Sequence, residues 1–127
     1  DIVARVNYLG LRHLTEALLD RLAPGGSIVN FASVLGAEWQ ARLDQHKALA
    51  ATGSFAAGLD WLAANPVPQE TCYQYFKEAL IVWTVTQSQK WFLERGVPVP
   101  PKSRPMPCTI SARIRASIRS ASPKASR

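Results

Sequence analysis

Residues 97–127 contain no acidic residue. All nine Asp and Glu lie in 1–96, together with eight of the fifteen Lys and Arg, so that stretch is near −1 and the remaining seven cations fall in the tail. The net charge of +6 therefore belongs to the tail; a basic tail is the one candidate for nucleic acid or an acidic membrane surface, but a solvated end is the favoured reading and nucleic-acid binding is not expected. Long apolar runs are also missing. None approaches the ~18 residues of a membrane-crossing helix, and the N-terminus lacks a signal-peptide layout. The two cysteines, Cys72 and Cys108, form no Cys-x-x-Cys pair, which argues against a paired redox or zinc motif and for a reduced, cytoplasmic setting. His13 and His46 have no partners at metal-ligand spacing, so no metal site is expected.

What is present begins with "IVARVNYLGLRHLTEALLDRL", 2–22. Val6, Leu14, Leu18 and Leu22 recur at helical spacing, and Leu11 and Leu19 widen the stripe. Pro24-Gly25-Gly26 supplies the stop. "SIVNFAS", 27–33, reads as a short buried strand, and helix, glycine turn and strand in succession are the grammar of an α/β protein. A helix is expected over about 38–50, and another from a Ser54 cap to the Asn65-Pro66 stop. The segment 72–94 is apolar around most of its circumference in "ALIVWTVTQ", which implies burial on two sides, one against the sheet and one against a partner chain. From Val97 onward six prolines, six serines and seven cations leave little to bury, and a disordered, low-complexity tail is expected.

"ETCYQYFKEAL", 70–80, places Tyr73 one helical turn ahead of Lys77, so the two share a face. A cation beside a phenol favours its anionic form, the direction a proton-transferring tyrosine needs. Tyr75 is the rival phenol, but Ala79 stands where its cation would be. Ser33 ends the expected strand, at the carboxyl edge where reactive groups of open α/β sheets collect. Asn7 sits within the first helix, although an amide is an indifferent helix former.

"VNYLG…GGSIVNFASVLG…YQYFK" resembles the central part of a classical short-chain dehydrogenase/reductase. The 39 residues between Ser33 and Tyr73 narrow the likeness to the branch of coniferyl-alcohol and hydroxysteroid dehydrogenases (carbonyl reductases), with 37–71 as a helical insertion near the substrate. The resemblance implies Tyr73 as general acid/base, Lys77 as its cation, Ser33 as holder of the substrate oxygen and Asn7 as support for a relay water. It also implies contact of Tyr73 and Lys77 with a nicotinamide cofactor, NAD or NADP. The implied reaction interconverts a small-molecule alcohol and a carbonyl, with coniferyl alcohol as first substrate and a hydroxysteroid as the alternative. Helices 2–22 and 72–94 would pair in a homo-oligomer.

The fold this implies is α/β: a partial Rossmann-type, doubly wound parallel sheet over 1–96, its first half missing, followed by the basic tail 97–127. No glycine-rich strand–turn–helix for a pyrophosphate is legible, so the isolated chain is expected to be inactive. The abrupt change at Val97 fits a shifted reading frame in a GC-rich gene, with a genuine tail of its own role as the alternative. A non-catalytic remnant acting as an interaction module is the reading of another class.

Overall fold

The computed structural model describes residues 2–21 and 27–95. The glycine stop at 24–26, Cys108 and the tail from 97 lie outside them. The first helical stretch, α1, joins Ile2–Ala4, a wide π-helical turn Arg5–Gly10, Leu11–Leu18 and a tight 3-10 turn Leu19–Arg21. Three α-helices follow: α2 (Leu43–Ala50), α3 (Phe55–Ala64) and α4 (Cys72–Arg95). Single 3-10 turns at Val34–Gly36, Trp39–Arg42 and Gln69–Thr71 lie between them.

The expected α/β fold is not what forms. Among the described residues there is no strand, so neither a parallel sheet nor a partial Rossmann arrangement is present. A strand exists only through a ladder with a second strand, and 27–33 is the one candidate run in this stretch. These residues carry no regular secondary structure. Odd positions Ser27, Val29 and Phe31 are exposed, whereas Ile28, Asn30 and Ala32 are at least partly covered. Asn30 is buried and its Nδ2 donates to Thr84 Oγ1 of α4 at 3.0 Å. The run is thus held by side chains.

The helices follow local rules. Ser54, in extended backbone, caps α3 by accepting the Ala57 amide on its Oγ at 3.1 Å, the usual N-cap bond. Asn65 leaves the helix at φ −128°, ψ 73°, as the steric demand of Pro66 requires. The wide turn of α1 depends on Gly10: a Cβ there would stand 2.6 Å from the Arg5 carbonyl oxygen. Gly→Ala inside a helix ordinarily stabilises by up to ~1 kcal/mol. Here the contact should reverse the sign, with Gly10→Ala costing about 1–3 kcal/mol as the backbone shifts. Denaturant unfolding of the variant checks this, and a gain in stability would contradict the wide turn.

α4 is the central element. Tyr75, Phe76, Ala79, Leu80 and Trp83 are buried with Tyr8 and Leu9 of α1 and Leu49 of α2. Trp83 and Trp91 meet edge to face at 6.2 Å. Two-sided burial of α4 is present among the described residues through other parts of this chain, with no sheet on either side, and Val85 and Leu93 stay exposed. The 27–36 segment reaches it through Asn30 and Gly36, while α2 and the wide turn of α1 pack on it elsewhere.

α1 presents a different face from the one its leucine spacing suggested. Ile2, Val6, Leu14 and Leu18 are exposed, and Ala4, Tyr8, Leu9, Arg12 and Thr15 are buried. Arg12 is the reason a charged residue turns inward. Its guanidinium donates to Leu49 O, Thr52 Oγ1, Thr52 O and Glu16, which satisfies the turn after α2.

Candidate active site

Tyr73 and Lys77 lie at the start of α4, where the i,i+4 geometry brings them together. Lys77 Nζ stands 5.5 Å from the centre of the Tyr73 ring, within cation–π range. The same ammonium donates to the Phe31 carbonyl at 3.0 Å, which leaves two of its three donors free of that bond. Tyr73 is 45% exposed, so its ring is open to a substrate. The lysine therefore joins the phenol to the segment that carries Ser33.

Ser33 has extended backbone (φ −147°, ψ 158°) and caps the Val34–Gly36 turn. Its Oγ accepts the Leu35 amide at 3.3 Å and its carbonyl accepts the Gly36 amide at 2.9 Å. The hydroxyl hydrogen takes no part in either bond. The turn lies directly on α4: a Cβ at Gly36 would come within 3.1 Å of the Lys77 carbonyl and 2.9 Å of Ile81 Cδ1. Only a residue without a side chain lets the Ser33 turn approach the helix this closely. Asn7 is half-buried within the wide turn of α1. Among the described residues no side-chain hydrogen bond joins it to Tyr73, Lys77 or Ser33. Tyr73 and Lys77 thus share one helix end, the turn that Ser33 caps packs on the same helix through Gly36, and Asn7 is not joined to them.

Beside this face lies a cluster the sequence did not announce. Glu78 is fully buried, yet both carboxylate oxygens are bonded. Arg42 reaches it with Nη2 on Oε1 at 2.7 Å and Nε on Oε2 at 3.0 Å. Gln74 Nε2 donates to Oε1 at 3.0 Å, and His46 Nε2 lies 2.9 Å from Oε2. Burial alone would raise the carboxyl pKa, but the bonds from Arg42, Gln74 and His46 outweigh it and hold it below the usual range. Burial dominates at His46 and pushes its pKa down despite the carboxylate. The neutral ring then donates from Nε2 to Glu78, and Nδ1 is left buried without a partner. A lone acid amid "YFKEALIVW" was the only available sign of this cluster.

Tyr75, the rival phenol, is buried, packs 4.7 Å from the His46 ring and has no hydrogen-bond partner for its hydroxyl. Burial pushes its pKa up to about 12, the wrong direction for a proton-transferring group near neutrality. A cavity of about 550 Å³ lined by Ala4, Arg5, Leu59, Leu62, Val67 and Phe76 touches none of the four expected residues. Among the described residues no group of His, Cys, Asp and Glu is placed to hold a metal, and no helix is long and apolar enough to cross a membrane.

An exposed phenol, a cation held beside it and a serine-capped turn packed on the same helix make up the face on which the sequence resemblance places its acid–base residues, the residue types that work on an alcohol or a carbonyl would use. Comparison with curated proteins agrees with that class, for the relative it finds is a dehydrogenase. That relative is coniferyl-alcohol dehydrogenase of Pseudomonas sp. (strain HR199 / DSM 7063), 62% identical over 97 residues. The match takes in 76% of this chain and 38% of the relative's length. Any run of 97 residues in a chain of 127 includes positions 31–97, so Ser33, Tyr73 and Lys77 fall within it. The resemblance read from the sequence is borne out. No protein-family model and no solved structure matches the chain.

Proposed function

We propose that this chain carries the acid–base face of an oxidoreductase that interconverts an alcohol and a carbonyl, with coniferyl alcohol as the substrate. The observation that carries the reading is the Lys77 ammonium, held between the Tyr73 ring and the Phe31 carbonyl, in a segment 62% identical to an enzyme named for that alcohol. In the oxidative direction Tyr73 Oη takes the proton from the substrate hydroxyl, with the Lys77 ammonium held beside its ring, and the Ser33 hydroxyl donates to the substrate oxygen. Asn7 has its part in a water relay by resemblance alone.

A nicotinamide dinucleotide, NAD or NADP, is the proposed hydride partner because the relative is a dehydrogenase. Among the described residues no glycine-rich turn leads from a strand into a helix. They do not form a pyrophosphate cradle, and only the proton half of the reaction is assigned to them.

The experiment is a segment exchange: the 97 matched residues of this chain replace their counterpart in the Pseudomonas enzyme. The hybrid is expected to oxidise coniferyl alcohol. A folded hybrid without that activity would refute the assignment.

The proposed homo-oligomer is supported by the exposed stripe Ile2, Val6, Leu14 and Leu18 on α1, and on α4 by exposed Val85 and Leu93. Leu14→Glu with Leu18→Glu should lower the sedimentation mass of an assembled protein. An unchanged mass would exclude α1 from the interface.

A further inference from the structure

We propose that Glu78 is a positioning residue for this site: its buried carboxylate clasps residues 39–46 to α4 and so sets the Ser33 turn against Lys77. The purpose of the clasp rests on the oxidoreductase reading, but its mechanics do not. Tyr73–Lys77 and Gln74–Glu78 are two i,i+4 pairs offset by one residue, roughly 100° apart around the helix. The first pair meets solvent, with Tyr73 exposed and Lys77 half-covered, while Glu78 of the second is fully buried. One helical turn therefore holds the reactive pair on one side and an anchor on the other.

The anchor acts across the chain. Arg42 and His46 reach Glu78 from positions six and ten residues beyond Gly36, and a 3-10 turn at Trp39–Arg42 takes up most of the intervening chain. Upstream, the same segment is tied to α4 by Asn30 on Thr84 and by Phe31 on Lys77. Ser33 thus lies between two sets of ties to one helix. Its own turn has only local bonds: Leu35 N to Ser33 Oγ, Gly36 N to Ser33 O and Ala37 N to Val34 O. Local bonds shape the turn but do not place it on α4. Gly36 can lie against the Lys77 backbone only while the chain following it is held down.

Net stability is a poor explanation for such a cluster. Replacing a buried, fully bonded ion pair by apolar groups of similar volume is often neutral or stabilising, whereas fixing one arrangement of elements is a use that such groups serve in some proteins. Glu78 selects where residues 39–46 sit because only that placement satisfies both oxygens. A shorter or neutral side chain would still be buried by α2 but would not select the register.

The test is native-state amide hydrogen exchange on the full 127-residue chain, with Glu78→Gln and, separately, Arg42→Gln. The second variant guards against misfolding, since the Arg42 side chain is 35% exposed and opens the clasp from its solvent edge. In both, the Leu35, Gly36 and Ala37 amides should exchange at least about tenfold faster, over and above any smaller rise shared by the amides of 57–64 and 80–91 that reports lost global stability. Unchanged exchange at 35–37, or a uniform rise across the chain, would overturn the proposal. Tyr73→Phe should leave all these rates unchanged, which separates the clasp from the catalytic reading. An inactive hybrid enzyme refutes that reading while the exchange pattern still decides the clasp. In an active hybrid, Glu78→Gln should lower kcat/KM about tenfold at unchanged folded fraction. Faster exchange without any such loss would overturn the positioning role.

Discussion

Tyr73→Phe is expected to lower coniferyl-alcohol oxidation by the hybrid enzyme roughly 10²–10⁴-fold, the range for losing a positioned acid/base. The loss should fall on kcat, because the phenylalanine ring keeps the shape of the exposed surface and only the proton-bearing oxygen is gone. Lys77 remains tied to Phe31 O, so the Ser33 segment keeps its place. Tyr75→Phe is the matched control. That hydroxyl is buried without a partner, so its removal takes away an unsatisfied polar group and should leave turnover unchanged and stability equal or higher. Steady-state kinetics of the two variants side by side decide between the phenols. A large loss in Tyr75→Phe with turnover retained in Tyr73→Phe would reverse the assignment.

Glu78→Ala should destabilise the chain by about 3–5 kcal/mol, the usual cost of removing one member of a buried ion pair. Arg42 can turn partly to water, but His46 is fully buried and would lose the partner of its Nε2. The same cluster fixes the pH dependence. The folded pKa of His46 is lowered by burial, so the unfolded chain binds its proton first. Stability is therefore fully present above about pH 6.5 and declines as pH falls from there through the folded value. The folded pKa of Glu78 is also lowered, since its bonds outweigh burial. Its contribution is fully present above about pH 4.3, the unfolded value, and is lost as pH falls through the folded one. Both groups make acid destabilising, in two successive windows. Urea unfolding from pH 8 to pH 3 should show both, and Glu78→Gln should remove the lower one. A rise in stability between pH 7 and pH 5 would mean instead that His46 is charged beside Glu78.

The helices were legible because their signals are local. Ser54 three residues before Ala57, Asn65 before Pro66 and the apolar run of 72–94 depend only on near neighbours in the chain. The pairing of Tyr73 with Lys77 was legible for the same reason, since four residues on a helix are one turn. The strand at 27–33 was misread because its composition is that of a strand but its state depends on a ladder partner, and the described residues supply none. Along α1 the leucine stripe was only half informative: Val6, Leu14 and Leu18 face outward, Leu11 and Leu19 pack partly on the core, and Arg12 and Thr15 turn inward. Which positions turn inward was decided by long-range partners, Leu49 and Thr52 for Arg12 and Phe76 for Tyr8, a choice spacing does not encode. Glu78 was missed on similar grounds. Arg42 and His46 meet it across separations of 36 and 32 residues, and no motif links those positions.

The most direct test of the account is the turnover of coniferyl alcohol by the Pseudomonas enzyme carrying the matched segment of this chain, read as formation of reduced nicotinamide. The expected result is activity that requires Tyr73 and survives Tyr75→Phe. A folded hybrid that binds coniferyl alcohol but transfers no hydride, with Tyr73 intact, would contradict it.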